Sequence, residues 1–247
     1  MKNLDFEVRI PEEVNDLLIH EEFFYLKQNG EERQIKLHDY PEMYRIPYLY
    51  QYMMERLQYQ SHTVLSTLLI NQVTQAGGNV EDLIVLEVGA GSGMVGKALV
   101  DLGVKSITGI DIVPEAVEAA QREYPGVYEN YYVEDLMNLT ETTQNALTKR
   151  GFNCMVCGSA LGFNHIPAQA WAQAFNVITP NGWVAFNVQK ELWEDKSEAY
   201  FLAWHSWVEE KHLFKMTQMH DYQHRLYLDG RPLDFVAIIA AKQGNIS

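Results

Sequence analysis

Cysteine is scarce in this chain: 247 residues hold two, which excludes a disulfide framework. The pair, Cys154 and Cys157, has C-x-x-C spacing, but it sits in the apolar run Phe152–Cys157 between Gly151 and Gly158, which reads as a buried strand. Residues three apart on a strand point to opposite faces, so the thiols are expected to be buried structural groups rather than a redox or metal pair. Positive charge is also short. Lys and Arg number 19 against 33 Asp and Glu, a formal net charge of -14. Phosphate backbones are bound by Lys and Arg releasing counterions, so no nucleic-acid partner is expected. Uncharged apolar runs of membrane-spanning length are missing, and no apolar h-region follows Met1. The expectation is a cytoplasmic protein with neither signal peptide nor membrane segment. What remains is ordinary for a globular protein: 47% hydrophobic and 21% charged residues, with room for one sizeable core, alone or with an appendage.

The most informative stretch is Val85-Leu86-Glu87-Val88-Gly89-Ala90-Gly91-Ser92-Gly93. An apolar strand runs into a turn of alternating glycines, and a helical run, Met94–Leu102, follows. Such a turn lets a ligand approach the main chain, and the helix aims its free N–H groups at the same place. Two registers fit. Gly91-Ser92-Gly93-Met94-Val95-Gly96 spells G-x-G-x-x-G, with Asp111 twenty residues beyond Gly91, as in a dinucleotide fold. One step earlier, Glu87-x-Gly89-x-Gly91-x-Gly93 resembles the E/D-x-G-x-G-x-G of class I S-adenosylmethionine (SAM) methyltransferases. An ionised Glu87 is costly beside a pyrophosphate and suits a ligand carrying an ammonium and a sulfonium. The apolar strand also ends at Val88, which makes Gly89 the first glycine of the turn. Both points favour the second register.

From this turn onward strands and helices alternate. Strands are expected at Leu83–Val88, Ser106–Asp111, Val127–Val133, Phe152–Cys157 and Trp183–Val188, and helices at Met94–Leu102, Pro114–Glu123, Glu141–Lys149 and Ala168–Val177. A further helix, roughly Glu194–Lys211, precedes two β-like runs, Leu213–Tyr222 and Asp234–Ala241, with turn residues Asp229-Gly230-Arg231-Pro232 between them. The fold class is α/β: a Rossmann-like, doubly wound seven-stranded sheet with a terminal antiparallel β-hairpin and an N-terminal helical lid. Residues 1–80 form the lid segment and 81–247 the catalytic domain. The terminal hairpin is a methyltransferase feature and unusual in a dinucleotide domain.

Residues 83–190 resemble the class I SAM-dependent methyltransferase domain. Within that superfamily the chain is most similar to the Williams–Beuren syndrome critical-region methyltransferase-like proteins. The likeness rests on Asp39-Tyr40-Pro41-Glu42-Met43-Tyr44 and on Cys157-Gly158-Ser159-Ala160-Leu161-Gly162-Phe163-Asn164-His165-Ile166-Pro167. The resemblance implies SAM as donor and S-adenosylhomocysteine as product. By position, Gly89, Ala90, Gly91, Gly93 and Gly158 would pass close to the cofactor, and Glu87 would face its ammonium. Asp111 would accept the ribose hydroxyls and Ile112 would pack on adenine. Asp135 would accept from the exocyclic amine, with Leu136 offering a backbone N–H. Acids at three successive strand ends corroborate that assignment.

The acceptor is expected at the fourth strand end. Amino methyltransferases carry an [N/D/S]-P-P-[Y/F/W] clamp there, whereas this chain has Gly158-Ser159-Ala160-Leu161, which argues against nucleobase or amide methylation. Ser159, Asn164 and His165 are the candidate catalytic residues, able to orient or deprotonate an acceptor. His220 and His224 lie about 13 Å apart on an extended strand, too far to chelate one ion, so no metal is expected. Tyr40, Tyr44, Tyr48 and Tyr52 recur every fourth residue, with Tyr59 beyond and Pro47 interrupting. This stripe is either packing or a lid over cofactor and acceptor. Tyr44, Tyr48, Trp193, Tyr222 and His224, with Arg225 beside it, are candidate acceptor-pocket residues. The reading is a SAM-dependent methyltransferase with a small-molecule acceptor, in natural-product or secondary metabolism. The alternatives are an NAD(P)-dependent oxidoreductase and a non-catalytic SAM-binding regulatory protein.

Overall fold

The computed structural model describes residues 4–12, 14, 17–162, 166–195, 206–207 and 211–246. Its first elements are strands. Glu7–Arg9 (β1), Phe23–Gln28 (β2) and Glu31–Lys36 (β3) form an antiparallel sheet in the order β1-β2-β3. Asn29 and Gly30, at φ 54° and 85°, join β2 to β3, the paired positive dihedrals of a tight type I′ hairpin. The helical segment expected over residues 1–80 therefore begins only at Tyr40. Tyr40–Arg45 (α1) is capped by the Asp39 carboxylate, which accepts from the Glu42 N–H. Tyr48, at φ 64°, breaks the path before Leu49–Arg56 (α2). Ser61–Gln75 (α3) presents Leu65, Leu69 and Val73, one apolar stripe at helical spacing, to the main sheet.

After a 3₁₀ turn at Val80–Asp82 the alternation unfolds as expected. Ile84–Val88 (β4), Met94–Asp101 (α4), Ser106–Asp111 (β5), Pro114–Glu123 (α5), Asn130–Val133 (β6), Glu141–Arg150 (α6), Cys154–Cys157 (β7), Ala168–Asn176 (α7) and Trp183–Gln189 (β8) follow in turn. The short Lys190–Glu194 (α8) and the long pair Phe214–Leu226 (β9) and Pro232–Lys242 (β10) complete the described elements. Most of the helix expected over 194–211 lies outside the described residues. The seven-stranded sheet runs β6-β5-β4-β7-β8-β10-β9. Its first five strands are parallel, and β10 is inserted antiparallel between β8 and β9. The order reverses between β4 and β7, so ligands belong at the carboxyl ends of those strands.

Both faces of the sheet are covered. Val85, Cys154, Val156 and Ile239 meet α3 and α4 on one side. Leu86, Val88, Met155, Cys157 and Phe186 meet Trp171 and Phe175 of α7 on the other. Burying each large apolar side chain contributes about 1.5–3 kcal/mol. The two cysteines fall in opposite cores, as strand geometry requires, and burial pushes both thiols upward in pKa. The N-terminal sheet and α1–α2 enclose a core of their own, around Phe24, Leu26, Met43 and Met53, which also takes Leu228 from the hairpin. A buried ion pair, Arg225 Nη2 to Glu22 Oε2 at 2.5 Å, fastens the two units, and the other Glu22 oxygen accepts from the Leu228 N–H at 2.7 Å. Among the described residues no helix is long and apolar enough to cross a membrane.

Candidate active site

The carboxyl ends of β4, β5, β6 and β7 open into a cavity of about 280 Å³. The glycine turn forms its floor. Gly89 and Gly91 have φ of 66° and 53°, and a Cβ on Gly91 would stand 2.6 Å from the Tyr44 hydroxyl oxygen. Both the dihedral and the close approach require glycine there. The Gly91 peptide is held on two further sides: its N–H donates to Asp111 Oδ2 at 2.8 Å, and its carbonyl accepts from the Tyr131 hydroxyl at 2.7 Å. Gly93 is not part of the lining. It caps α4 at φ 91° and lies against Tyr128, so its role is to start the helix.

Glu87 is 2% exposed and accepts from the Tyr128 hydroxyl at 2.9 Å. Burial pushes its carboxyl up to about 8, against the pull of the Tyr128 hydroxyl and the Gly96 N–H. Asp111 is also raised by burial, opposed by backbone donors. The Gly91 and Val113 N–H groups each donate to one of its oxygens, and the Ile112 N–H also supports the charge, which leaves part of its acceptor capacity of roughly four sites for hydroxyls. Ile112 beside it is 63% exposed on the cavity rim, an apolar shelf suited to a planar ring. Asp135 is held below its ordinary pKa by the Met137 N–H and the Asn138 amide. Asp135, Leu136, Ala90 and Gly158 all line the same cavity.

The chemistry of this lining is one-sided. Four acids, Glu87, Asp111, Glu134 and Asp135, face it, with no Lys or Arg among the described lining residues. A pyrophosphate would meet carboxylates with nothing to neutralise it, whereas a cationic ligand fits. The dinucleotide register therefore fails on charge. Ser92 supplies a fitting polar contact: its Oγ is buried on this wall without a hydrogen-bond partner among the described residues. Sequence reasoning missed it, although a hydroxyl inside the glycine turn was the available signal. It also missed Glu134, which accepts from Thr140 and Thr143 at the start of α6.

A tyrosine cage forms the roof. Tyr40 and Tyr44 stack with ring centroids 5.9 Å apart, and Tyr50 meets Tyr44 edge-on at 5.1 Å. Tyr59 completes the cavity's tyrosine lining. Burial drives Tyr40 up to about 12 and Tyr44 and Tyr50 well up, so all three phenols stay protonated. The cage is set by α1, where Tyr44 packs on Ala116 and Ala119 of α5 and its carbonyl accepts from Arg122 at 2.8 Å. Tyr48, expected here, is absent from the lining. Its left-handed dihedral after Pro47 resets the helical phase, so Tyr50 takes the inward position. The one-face stripe fails for that reason.

Ser159 lies at the end of β7 with φ 59°, between Tyr59 Oη (3.1 Å) and Asn187 Nδ2 (3.2 Å). Asn164 and His165 lie outside the described residues. Trp193 is not in the cavity lining; its ring packs 6.2 Å from Phe186 against the core. Tyr222 is likewise outside the lining, hydrogen-bonded to Ser61 and Asn187. His224 faces a second, smaller chamber instead of the main one.

Residues 56–227, more than half of the chain, match the family model described as Methyltransferase domain. No curated protein matches the sequence. Among solved structures, the magnesium protoporphyrin IX methyltransferase of Synechocystis PCC 6803, with SAM bound, is similar at 14% identity and TM-score 0.52, over 74% of this chain and 80% of that one. A putative RNA methyltransferase of Pyrococcus horikoshii is similar at 16% identity and TM-score 0.51, over 72% and 84%. At these identities the likeness is one of fold. The match over 56–227, the sheet order and the acid-lined glycine turn agree: the chain belongs to the methyltransferase domain family of class I SAM-dependent enzymes.

Proposed function

We propose that the protein transfers a methyl group from SAM to a small-molecule acceptor, in natural-product or secondary metabolism. The carrying observation is the cavity itself, lined by acids with no Lys or Arg among its described lining residues and roofed by tyrosines. SAM supplies a methyl group already activated on a sulfonium. Glu87 would face the ammonium of its methionyl part, Asp111 the ribose hydroxyls, and Asp135 with the Leu136 N–H the adenine edge. Ser92 and the turn at Gly89–Gly91 would hold the carbon chain between them. The remaining work of the protein is alignment and exclusion of water, a proximity effect worth up to about 7–11 kcal/mol of the barrier. The tyrosine cage suits that work, because its faces attract cationic groups and displace water. Ser159 sits at the strand end where an acceptor would be oriented.

The fold alone does not choose the acceptor, since similar structures include a porphyrin enzyme and a putative RNA enzyme. The net charge of -14 and the acidic cavity favour a small molecule over a polyanion. We also retain the narrower likeness to the Williams–Beuren critical-region proteins. Tyr40 and Tyr44 of its Asp39–Tyr44 segment line the cavity, and its Cys157–Pro167 segment supplies Gly158 and Ser159, which would form the acceptor wall. The test is methyl-labelled SAM incubated with protein, RNA and small-molecule fractions. Label confined to the small-molecule fraction is expected; label in RNA or protein would overturn the acceptor class. Calorimetry should show binding of SAM and S-adenosylhomocysteine but not NAD(H). Cofactor binding with no transfer to any fraction would favour a non-catalytic SAM-binding role.

A further inference from the structure

The acids of the main cavity stand at the ends of β4, β5 and β6. The β7 side is different: Gly158, Ser159, Ala160, Ile166, Pro167 and Ala170 line it, and none of them carries a charge. One polar contact stands on this wall, Ser159 Oγ with Tyr59 Oη at 3.1 Å. Both residues line the main cavity and also the smaller chamber of about 50 Å³. His38 and His224 line that chamber too, but among the described residues neither ring hydrogen-bonds the pair; Nδ1 of His224 lies on Ser61 Oγ at 2.6 Å. The Tyr59 ring is fixed between His62, stacked at 5.2 Å, and the edge of His224 at 5.2 Å.

Asn187 holds the pair in place. It lies within β8 at 0% exposure. The Ser159 N–H can only donate, so the amide oxygen is the atom that faces it, at 2.6 Å. The amide nitrogen then donates to Ser159 Oγ (3.2 Å) and Tyr222 Oη (2.6 Å), which uses both of its protons. These bonds keep Ser159 at φ 59°, a left-handed conformation that costs about 1–2 kcal/mol for a residue with a Cβ. Strain maintained at a strand end where ligands belong points to a role for the group it aims. Between them the two hydroxyls carry two protons. One lies in the contact between them, and the other has no acceptor among the described residues, whichever way the contact runs. Burial pushes the Tyr59 phenol up, and a serine hydroxyl does not ionise, so the pair is a donor and not a base.

We propose that Ser159 and Tyr59 hold the acceptor by an oxygen, and that the acceptor group is a carboxylate, methylated to its ester. The assignment rests on the methyltransferase reading and names the substrate class for that site. An amine has one lone pair and needs it for the methyl carbon, so it cannot also accept the pair's proton. A neutral hydroxyl would have to shed a proton that neither member of the pair can take. A carboxylate meets both conditions. It is ionised at neutral pH, one oxygen accepts the hydroxyl proton, and the other faces the methyl group. That oxygen forms the new O–CH₃ bond as the S–CH₃ bond breaks, with the electron pair of the broken bond left on sulfur. Carboxylate and sulfonium become a neutral ester and a neutral sulfide, and no proton moves. Loss of two opposite charges is favoured on a wall without charged groups, where water is excluded.

The test uses the full chain saturated with sinefungin, which carries an ammonium in place of the methyl sulfonium, and three probes: benzoate, benzyl alcohol and benzylamine. Calorimetry is expected to rank benzoate about tenfold or more ahead of the other two, the worth of one well-made hydrogen bond. Ser159→Ala and Tyr59→Phe each leave one hydroxyl proton on the wall, so each should weaken benzoate only slightly. The double variant leaves none and should lose about tenfold or more beyond the two single losses combined, with sinefungin affinity unchanged throughout. In a second measurement, the small-molecule fraction labelled from methyl-labelled SAM is treated with mild alkali, which should release the label as methanol, as from an ester and not from an ether or a methylamine. Label that survives alkali, probes that bind alike or not at all, or variants whose losses simply add would overturn the carboxylate assignment while the methyltransferase reading stands. If neither sinefungin nor S-adenosylhomocysteine binds, both fall.

Discussion

Glu87→Gln probes the electrostatic reasoning most directly. Among protein groups alone, burial puts the Glu87 carboxyl near 8, so about nine in ten molecules carry its proton at pH 7. Ionising it at that pH costs about 1.4 kcal/mol. An ammonium brought to about 4 Å returns about 4 kcal/mol at an effective dielectric of 20, so binding drives the proton off. Calorimetry at pH 7 in two buffers of different ionisation enthalpy should therefore show close to one proton released per SAM bound. Affinity should rise with pH from about 6 toward 8 and then level as the ligand amine itself deprotonates. Gln cannot ionise, so the variant should bind SAM roughly a hundredfold more weakly at pH 7, the difference of about 3 kcal/mol, and release no proton. Stability has the opposite sign. The folded chain binds this proton more tightly than the unfolded one, so the carboxyl's contribution is complete below about 4.5 and is lost as pH rises to about 8. Without ligand, Glu87→Gln should flatten that part of the stability profile. Tyr128, the Gly96 N–H and Asp111 are the groups that set this titration. Proton release that is absent in the wild type, or equal in the variant, would refute the assignment of Glu87 to the ammonium.

Other outcomes follow from single contacts. Gly91→Ala forces a side chain into φ 53° and onto the Tyr44 hydroxyl, at 2.6 Å. It should cost about 1–2 kcal/mol of stability from the dihedral and about tenfold or more in SAM affinity. Adding Tyr44→Phe should recover the part of the affinity due to the clash, since the next Tyr44 atom stands 3.4 Å away. Asp111→Asn keeps an acceptor for only one of the Gly91 and Val113 N–H groups. SAM affinity by calorimetry should fall about ten- to a hundredfold, the worth of a charged hydrogen bond; unchanged affinity would remove Asp111 from the ribose site. Arg225→Met strands the Glu22 carboxylate in the core and should cost about 3–5 kcal/mol in urea unfolding. The double variant Glu22→Gln, Arg225→Met should regain most of that loss.

How much of this was legible in the residues depended on whether local signals stood alone. Pro114–Glu123 and Ser106–Asp111 appear with the bounds the sequence implied, because proline at a helix start and apolar runs at strand spacing act locally. The hairpin Phe23–Lys36 carries a local signal too, Asn29-Gly30 between runs that bury Phe24, Leu26 and Ile35, which the expectation of a helical segment over residues 1–80 overrode. The tyrosine stripe shows the limit of periodicity. One left-handed residue, Tyr48, shifts the inward face from the fourth-residue series to Tyr50, and no count of spacings registers a break in phase. The acids were visible because each sits at a strand end. Their hydrogen-bond partners, which decide how many acceptor sites remain for a ligand, come from Gly91, Val113, Met137 and Asn138 only once the chain has folded.

The same contrast explains why the donor side is easier to read than the acceptor side. On the proposed reading, donor recognition would be carried by one short turn and three acids spaced along successive strand–loop units, all within about fifty residues of sequence. The hydrogen-bonded network beside the fourth strand end, where an acceptor would lie on the proposed reading, draws on Tyr59, Ser61, Ser159, Asn187, Tyr222 and His224, which come from α3, β8, β9 and the loops beside them. None of these residues has a distinctive neighbour in sequence. Their chemistry arises from which hydroxyl donates to which nitrogen, and that is decided only by contacts made across the fold. A network of this kind is distributed, so a single substitution in it, Asn187→Leu for example, should disturb the wall around Ser159 and with it acceptor choice, while leaving the glycine turn and its acids in place. SAM affinity close to wild type, with a changed ranking of acceptor probes, is the expected result for that variant. A parallel loss of both would mean that the two chambers fold as one unit and that the donor site, too, depends on the network.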